Sequence, residues 1–246
     1  MAVRYNPKIV TDGLILSLDP ANKISYPGSG STINILVGLK DACTVDGPEF
    51  SSSNLGTLNY VQGNRDNVTF PHSICSNLHN GNFTISVWFR PEVIPGVSDT
   101  SAEYGDTLFG LYPDRYIMVV FGDSLAGDRV SLRCYLNSTW TSAVPTTSGQ
   151  ITTNNWFNYC VTYNSSSGFV GYLNGVSVGT LSTTGSFGGG GGGQDGKLAC
   201  LEDSTNSNRV NRFFDGDISV VKVYNTDLSS AEVLQNYNAL KGRFGL

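Results

Sequence analysis

The chain has 246 residues, of which only 14% are charged and 11% aromatic, with 29 Gly and a formal net charge of −5. Soluble domains average roughly 25% charged residues and about 7% Gly, so this composition excludes a helical bundle or coiled coil, whose solvent faces need many Lys, Glu and Arg. The excess of 20 Asp and Glu over 15 Lys and Arg argues against a nucleic-acid binder that neutralises phosphates, and no run approaches the roughly 18 apolar residues of a membrane span. Residues 1–8 carry charge with no apolar segment behind them long enough for a secretory signal, so folding in the cytosol is expected.

The first strong pattern is Gly13 to Asp19, where Leu14, Leu16 and Leu18 share one face at period two, ending in the turn-rich Ser25 to Ser31. Residues 32–66 lack a clear period and read as irregular cover with weak strands, including Leu58 to Gln62. Phe83 to Arg90 alternates cleanly, with Phe83, Ile85, Val87 and Phe89 on one face, and Pro91 is expected to stop it. Strands are also expected over Thr107 to Leu111, Tyr116 to Phe121 and Arg129 to Leu136. After a Thr- and Ser-rich loop come Trp156 to Tyr163 and Gly168 to Val178. Asn174-Gly175 between alternating runs marks a hairpin, because a type I′ turn needs positive φ at both central residues. Gly188 to Gly193 must be a loop, and Lys197 to Leu201 and Ile218 to Tyr224 are the last strands.

One helix is expected, at residues 229–242. Ser229-Ser-Ala-Glu232 forms a capping box, Val233, Leu234, Tyr237 and Leu240 form an apolar stripe, and Lys241-Gly242 closes it. This helix should dock on a sheet edge or rim. A dozen short strands with one helix indicate an all-β fold, an antiparallel two-sheet jelly-roll sandwich, and the length suits one domain over 1–246 with residues 1–12 as an N-terminal arm.

The segments Asp12 to Asn22 with Ser25 to Gly30, Phe83 to Phe89, Trp156 to Tyr163 with Tyr172 to Gly175, and Phe214 to Ile218 with Val223 to Ser229 and Glu232 resemble the laminin-G-like branch of the concanavalin A-like lectin/glucanase superfamily. They occur in the family's order and span most of the chain. Pro7 to Leu14 and Asn236 to Gly242 resemble, more specifically, virion proteins of tailed bacteriophages, particularly marine and cyanobacterial ones. Similar phage proteins place a Trp and an Asp-Leu-Ser-Gly turn after the Pro-Gly-Ser-Gly segment, where this chain has Ser31 to Leu39. Family detail is therefore not carried over to residues 31–70.

Glucanases of the superfamily carry paired carboxylates on one strand. Here no Glu has a second Glu within four residues, and Asp215-Gly-Asp217 reads as ordinary turn chemistry at the opening of a strand. Catalytic residues are therefore expected to be absent. His72 and His79 lie in loop-like settings, and Gly188 to Gly193 lacks the Lys-Ser/Thr of a phosphate loop. Five Cys at wide spacing with no C-x-x-C pair exclude a zinc or redox motif, and Cys134 and Cys160 read as buried apolar residues. The resemblance implies calcium as a candidate cofactor, with Asp195 and Asp203 bracketing one strand and Asp123 and Asp128 flanking the turn at 124–127 as the candidate ligands. For carbohydrate binding the candidate is Trp140, whose polar, loop-like neighbours suit an aromatic that stacks on a sugar ring, whereas Trp88 and Trp156 read as core.

The functional expectation is a non-enzymatic structural protein of a tailed-phage virion, a capsid decoration or head protein or a component of the tail or its fibres. Its expected partners are other virion proteins and further copies of itself, in a homo-oligomer. The alternative is an adhesin that recognises host surface glycan.

Overall fold

The computed structural model describes residues 8–37, 41–76, 78, 81–95, 106–111, 117–122, 127–188, 193–201 and 213–246. In chain order its strands are β1 (Leu14–Leu18), β2 (Thr32–Asn34), β3 (Ala42–Asp46), β4 (Glu49–Ser51), β5 (Thr57–Tyr60), β6 (Asn67–Phe70), β7 (Phe83–Pro91), β8 (Asp106–Leu111), β9 (Ile117–Phe121), β10 (Val130–Leu136), β11 (Thr139–Ala143), β12 (Phe157–Asn164), β13 (Gly168–Leu173), β14 (Val176–Leu181), β15 (Gly196–Leu198) and β16 (Gly216–Tyr224). They form two eight-stranded antiparallel sheets. The first runs β14-β13-β12-β7-β16-β5-β4 with β1 also paired to β16, and the second runs β11-β10-β9-β8-β15-β6-β3-β2.

Alternation along the strands builds the sandwich. Phe83, Ile85, Val87 and Phe89 of β7 and Val130, Leu132, Cys134 and Leu136 of β10 all point into one core between the sheets. Phe89 is its aromatic centre, with ring centroids 6.0 Å from Phe121, 5.9 Å from Phe157 and 6.3 Å from Phe214. The hairpin from β13 to β14 turns at Asn174 and Gly175, both at positive φ (51° and 76°), as the turn type demands. Gly175 is constrained a second time, because a Cβ there would lie 3.0 Å from the Tyr237 ring.

The outer face of the first sheet is covered by α2 (Ser230–Leu240) and the 3-10 turn Lys241–Phe244 that continues it. Trp88 stacks on Phe244 at 4.2 Å and on Tyr237 at 5.6 Å, and Trp156 lies 4.7 Å from Phe244. The helix therefore sits on a sheet face and not on a rim, since β7 and β16 present Trp88 and Val220 outward for it to bury. Trp88 and Trp156 are buried as expected, but in this outer layer. The capping box forms, with the Ser229 backbone N–H donating to Glu232 Oε2 at 2.8 Å and the Glu232 N–H donating to Ser229 Oγ. Gly242 does not end the helical run, because continuing through Phe244 buries that ring on both tryptophans. The left-handed residue is Gly245, at φ 74°. Residues 8–10 run against α2, where the Val10 N–H donates to Asn236 Oδ1 at 2.8 Å and Gln235 Nε2 donates to the Lys8 carbonyl.

Residues 32–66, read as irregular cover with weak strands including Leu58 to Gln62, supply four short strands: β5 overlaps the expected one, and β2, β3 and β4 are additional. β7 ends at Pro91, as expected, with Pro91 as its last residue, where its carbonyl accepts from the Asn154 N–H at 2.7 Å.

Candidate functional site

Trp140 lies in β11, not in a loop. Its neighbours are polar because β11 is an edge strand with one face open to solvent. It pairs across the ladder with Tyr135, the rings meeting edge-on at 5.3 Å, and the Arg133 guanidinium sits 5.6 Å from the Trp140 centroid. Its other side rests on Met118, Val120 and Leu201. The indole is thus partly buried and already contacted on several sides.

Of the four acidic candidates, Asp128 and Asp195 are described, and each accepts from a backbone N–H. Asp128 accepts from the Gly149 N–H and from Ser148 Oγ at 2.9 Å. Desolvation opposes its charge, but those two donors outweigh it and hold the carboxyl below its ordinary value. Asp195 accepts from the His72 N–H at 2.8 Å, tying the start of the short helix α1 (His72–Ser76) to the start of β15. Asp123 and Asp203 lie outside the described residues, as does His79. Calcium needs several oxygens at one point. Among the described residues no group of three or more His, Cys, Asp or Glu is so arranged.

Asp217 is fully buried on the outer face of the first sheet, and four side chains donate to its carboxylate. Arg90 Nε donates to it at 2.6 Å, Asn54 Nδ2 at 2.9 Å, Thr57 Oγ1 at 3.0 Å and Asn59 Nδ2 at 3.4 Å, with the Arg90 terminal nitrogen also in contact. This carboxylate ties β16 to β7 and β5. Its neighbour Asp215 is only partly exposed, and burial raises its carboxyl above the usual range. The described cysteines, Cys43, Cys134, Cys160 and Cys200, are buried, and burial pushes the thiols of Cys43, Cys134 and Cys160 up to about 12, so they stay protonated.

The outer face of the second sheet is different. One register row crosses all eight strands: Ser142, Arg133, Met118, Gly110, Lys197, Thr69, Thr44 and Thr32. Toward the β2 end the row opens into a groove of about 520 Å³. Its floor is made by Thr44 and Asp46 of β3, Asn67 and Thr69 of β6, and Lys197 of β15, each alternating with core residues such as Cys43, Val45, Val68 and Leu198. The 3-10 turn Gln62–Asn64 and the residue after it add Asn64 and Arg65, and Phe213 adds an apolar wall. Arg65 is held at φ 62°, and its carbonyl accepts from Asn67 Nδ2 at 3.3 Å. Asn67 Oδ1 in turn accepts from Thr69 Oγ1 at 3.1 Å. The groove therefore offers hydroxyls, amides, two cations and one carboxylate on a rigid floor, and its size is that of a small-molecule site, roughly 300–1,000 Å³. Trp140 shares the face but lies four strands from Lys197, about 19 Å at the usual strand spacing.

No groove residue was picked out in the sequence. The signal was present in Ala42-Cys-Thr-Val-Asp46 and Asn67-Val-Thr-Phe70, where polar and apolar residues alternate. What that alternation could not show is which distant strands lie side by side.

An open polar groove on one sheet of a two-sheet jelly roll is the architecture of a lectin-like protein. The chain belongs to the concanavalin A-like lectin/glucanases superfamily, since residues 62–234 match the Laminin_G_3 family model. Among solved structures it is similar to domain 4 of AbnA, an extracellular arabinanase from Geobacillus stearothermophilus solved with arabinotriose. That likeness has a TM-score of 0.61 at 16% identity and covers 91% of this chain and 98% of the other. It is also similar to the binding domain of botulinum neurotoxin DC in complex with SialylT, with a TM-score of 0.64 at 15% identity over 93% of this chain and 52% of that one. The binding domain of Paraclostridial Mosquitocidal Protein 1 gives a TM-score of 0.62 at 17% identity, over 92% and 52%. The chain thus spans about half the length of the toxin binding domains. No curated protein is a significant match to the chain.

Proposed function

We propose that this chain is a non-enzymatic glycan-binding module displayed on the outside of a tailed-phage particle, with the groove over β3, β6 and β15 as its sugar site. The observation that carries the reading is the groove itself. Saccharides are bound through many hydroxyl contacts, and Thr44, Asp46, Asn67, Thr69 and Lys197 place donors and acceptors together on one rigid surface. Binding without cleavage is supported by the lining, in which Asp46 is the one carboxylate among the described residues, whereas glycoside hydrolysis uses two. Saccharide-bound relatives of this fold, among them the arabinanase domain, support the ligand class. The resemblance of residues 7–14 and 236–242 to phage virion proteins supports the setting. There the module serves as a capsid decoration or as a tail or fibre component, and weak sugar contacts multiply over many copies.

A glycan array with host-surface polysaccharides tests the ligand class, followed by titration of the best binder. Thr44→Ala with Asp46→Ala, both at exposed positions, should weaken binding at least about tenfold, or roughly 1.4 kcal/mol, with the unfolding midpoint unchanged. Silence across the array, or unchanged affinity in the double variant, overturns the site. Peptide mass spectrometry of purified particles tests the setting separately.

A further inference from the structure

Sandwiches protect the outer strands of their sheets, because an unpaired row of N–H and C=O groups is a template for another chain. At one end this chain follows the rule, since the terminal strands β4 and β2 have only three residues each. At the other end it does not. β14, Val-Ser-Val-Gly-Thr-Leu, has six residues and contains neither a charge nor a proline, the usual guards of a sheet edge. Val176 is 67% exposed there, and nothing lies within 4 Å of where a Cβ on Gly179 would be. The stretch of chain around it is equally uncharged. No Asp, Glu, Lys, Arg or His occurs between Arg133 and Asp195, a segment that includes β11 through β14.

We propose that β14 is the pairing edge for a second copy of this chain, the two copies joining antiparallel across a twofold axis at Gly179 so that their first sheets become one. The register supports self-recognition. The ladder with β13 sets Leu181 opposite Phe169, Thr180 opposite Val170, Gly179 opposite Gly171, Ser177 opposite Tyr172 and Val176 opposite Leu173, with Val178 bulged out of the sequence of pairs. Leu181 and Leu173 pack against the core, so Leu181, Gly179 and Val176 share the core side, and Thr180 and Ser177 share the other. A twofold axis perpendicular to the sheet must match residues on the same side. Centred on Gly179, it sets Val176 against Leu181 and Ser177 against Thr180. These are aliphatic and hydroxyl cross-strand pairs, both favourable types. The bulge at Val178 sets this register, since without it the same axis would set Ser177 against Leu181. β11 is a poorer match, since the same operation sets Trp140 against Ser142.

A second copy is favoured over a charged partner because the strand itself carries no charge to steer one, while two copies of a chain at −5 can pair along it without like charges on the paired strands. Analytical ultracentrifugation of the full chain at about 10–200 μM should show a species of twice the 26.4 kDa chain mass. Ser177→Lys with Thr180→Lys sets ammonium groups against each other across the axis and should return the monomer mass with unchanged circular dichroism. Gly179→Cys should form an oxidation-dependent covalent dimer that the parent chain does not. A parent chain that stays monomeric through this range overturns the proposal. So does a dimer that survives the double lysine variant and gives no cross-link at position 179.

Discussion

The two outer faces of the sandwich are built from similar alternating strands and finished in opposite ways. On the first sheet Trp88, Val220 and Trp156 are sealed beneath Tyr237, Leu240 and Phe244 of the C-terminal element. On the second, Thr44, Asp46, Thr69 and Lys197 line an open groove. The face that presents Trp88 and Val220 is closed by burial, whereas the second face is open at its β2 end, where hydroxyls and charges line the groove, and buries Met118 and Val120 nearer β11. The difference lies in which side chains occupy alternate positions, not in the backbone.

The strongest way to break that contrast is to uncover the closed face. Phe244→Ala removes the ring that touches both Trp88 and Trp156. It should cost about 3–5 kcal/mol in denaturant unfolding, while a folded sample keeps its sugar affinity. An equal loss of affinity would mean that the two faces are not independent.

A second test uses Lys222, a cation buried on the closed face. Lys222 is 4% exposed, and desolvation lowers its ammonium to about 8, with Asp19 opposing that shift and Arg243 adding to it. The unfolded chain holds this proton up to the ordinary value of 10.5, so between pH 8 and 10 the unfolded state binds more protons and stability rises with pH. Below pH 8 the charged amine is a standing cost, of order 3 kcal/mol from the shift alone. Lys222→Met should raise stability at pH 7 and flatten the rise between pH 8 and 10. A variant less stable at pH 7, with the same slope as the parent chain, would contradict this reading.

The smallest expected effect sharpens the contrast from within the open face. Trp140→Ala should change sugar affinity less than about twofold, because the groove lies four strands away, and should cost stability through lost contact with Tyr135 and Met118. A loss of affinity larger than that of the groove variants would move the site to the β11 edge.

Much of the fold was legible from short-range pattern. Phe83 to Arg90 reads as a strand because every second residue is apolar, Asn174-Gly175 reads as a hairpin because few other dipeptides accept two positive φ values, and Ser229 with Glu232 reads as a helix start. The groove was not legible, because it depends on pairings between distant segments: Lys197 meets Thr69 on one side and Gly110 on the other. β3 and β6 are only five and four residues long, too short for alternation to stand out against the polar chain around them. Trp140 misled because an edge strand that faces water has the composition of a loop. Gly242 misled because a local stop signal was outweighed by the tertiary burial of Phe244.

The central claim is that the open face binds sugar at the groove, and a heteronuclear NMR titration with the best oligosaccharide from the array tests it most directly. The account predicts that the amides shifting on saturation cluster at Thr44, Asp46, Asn67, Thr69 and Lys197. Shifts confined to the loops around Asp128 and Gly149, to Trp140, or to the C-terminal helix would contradict it.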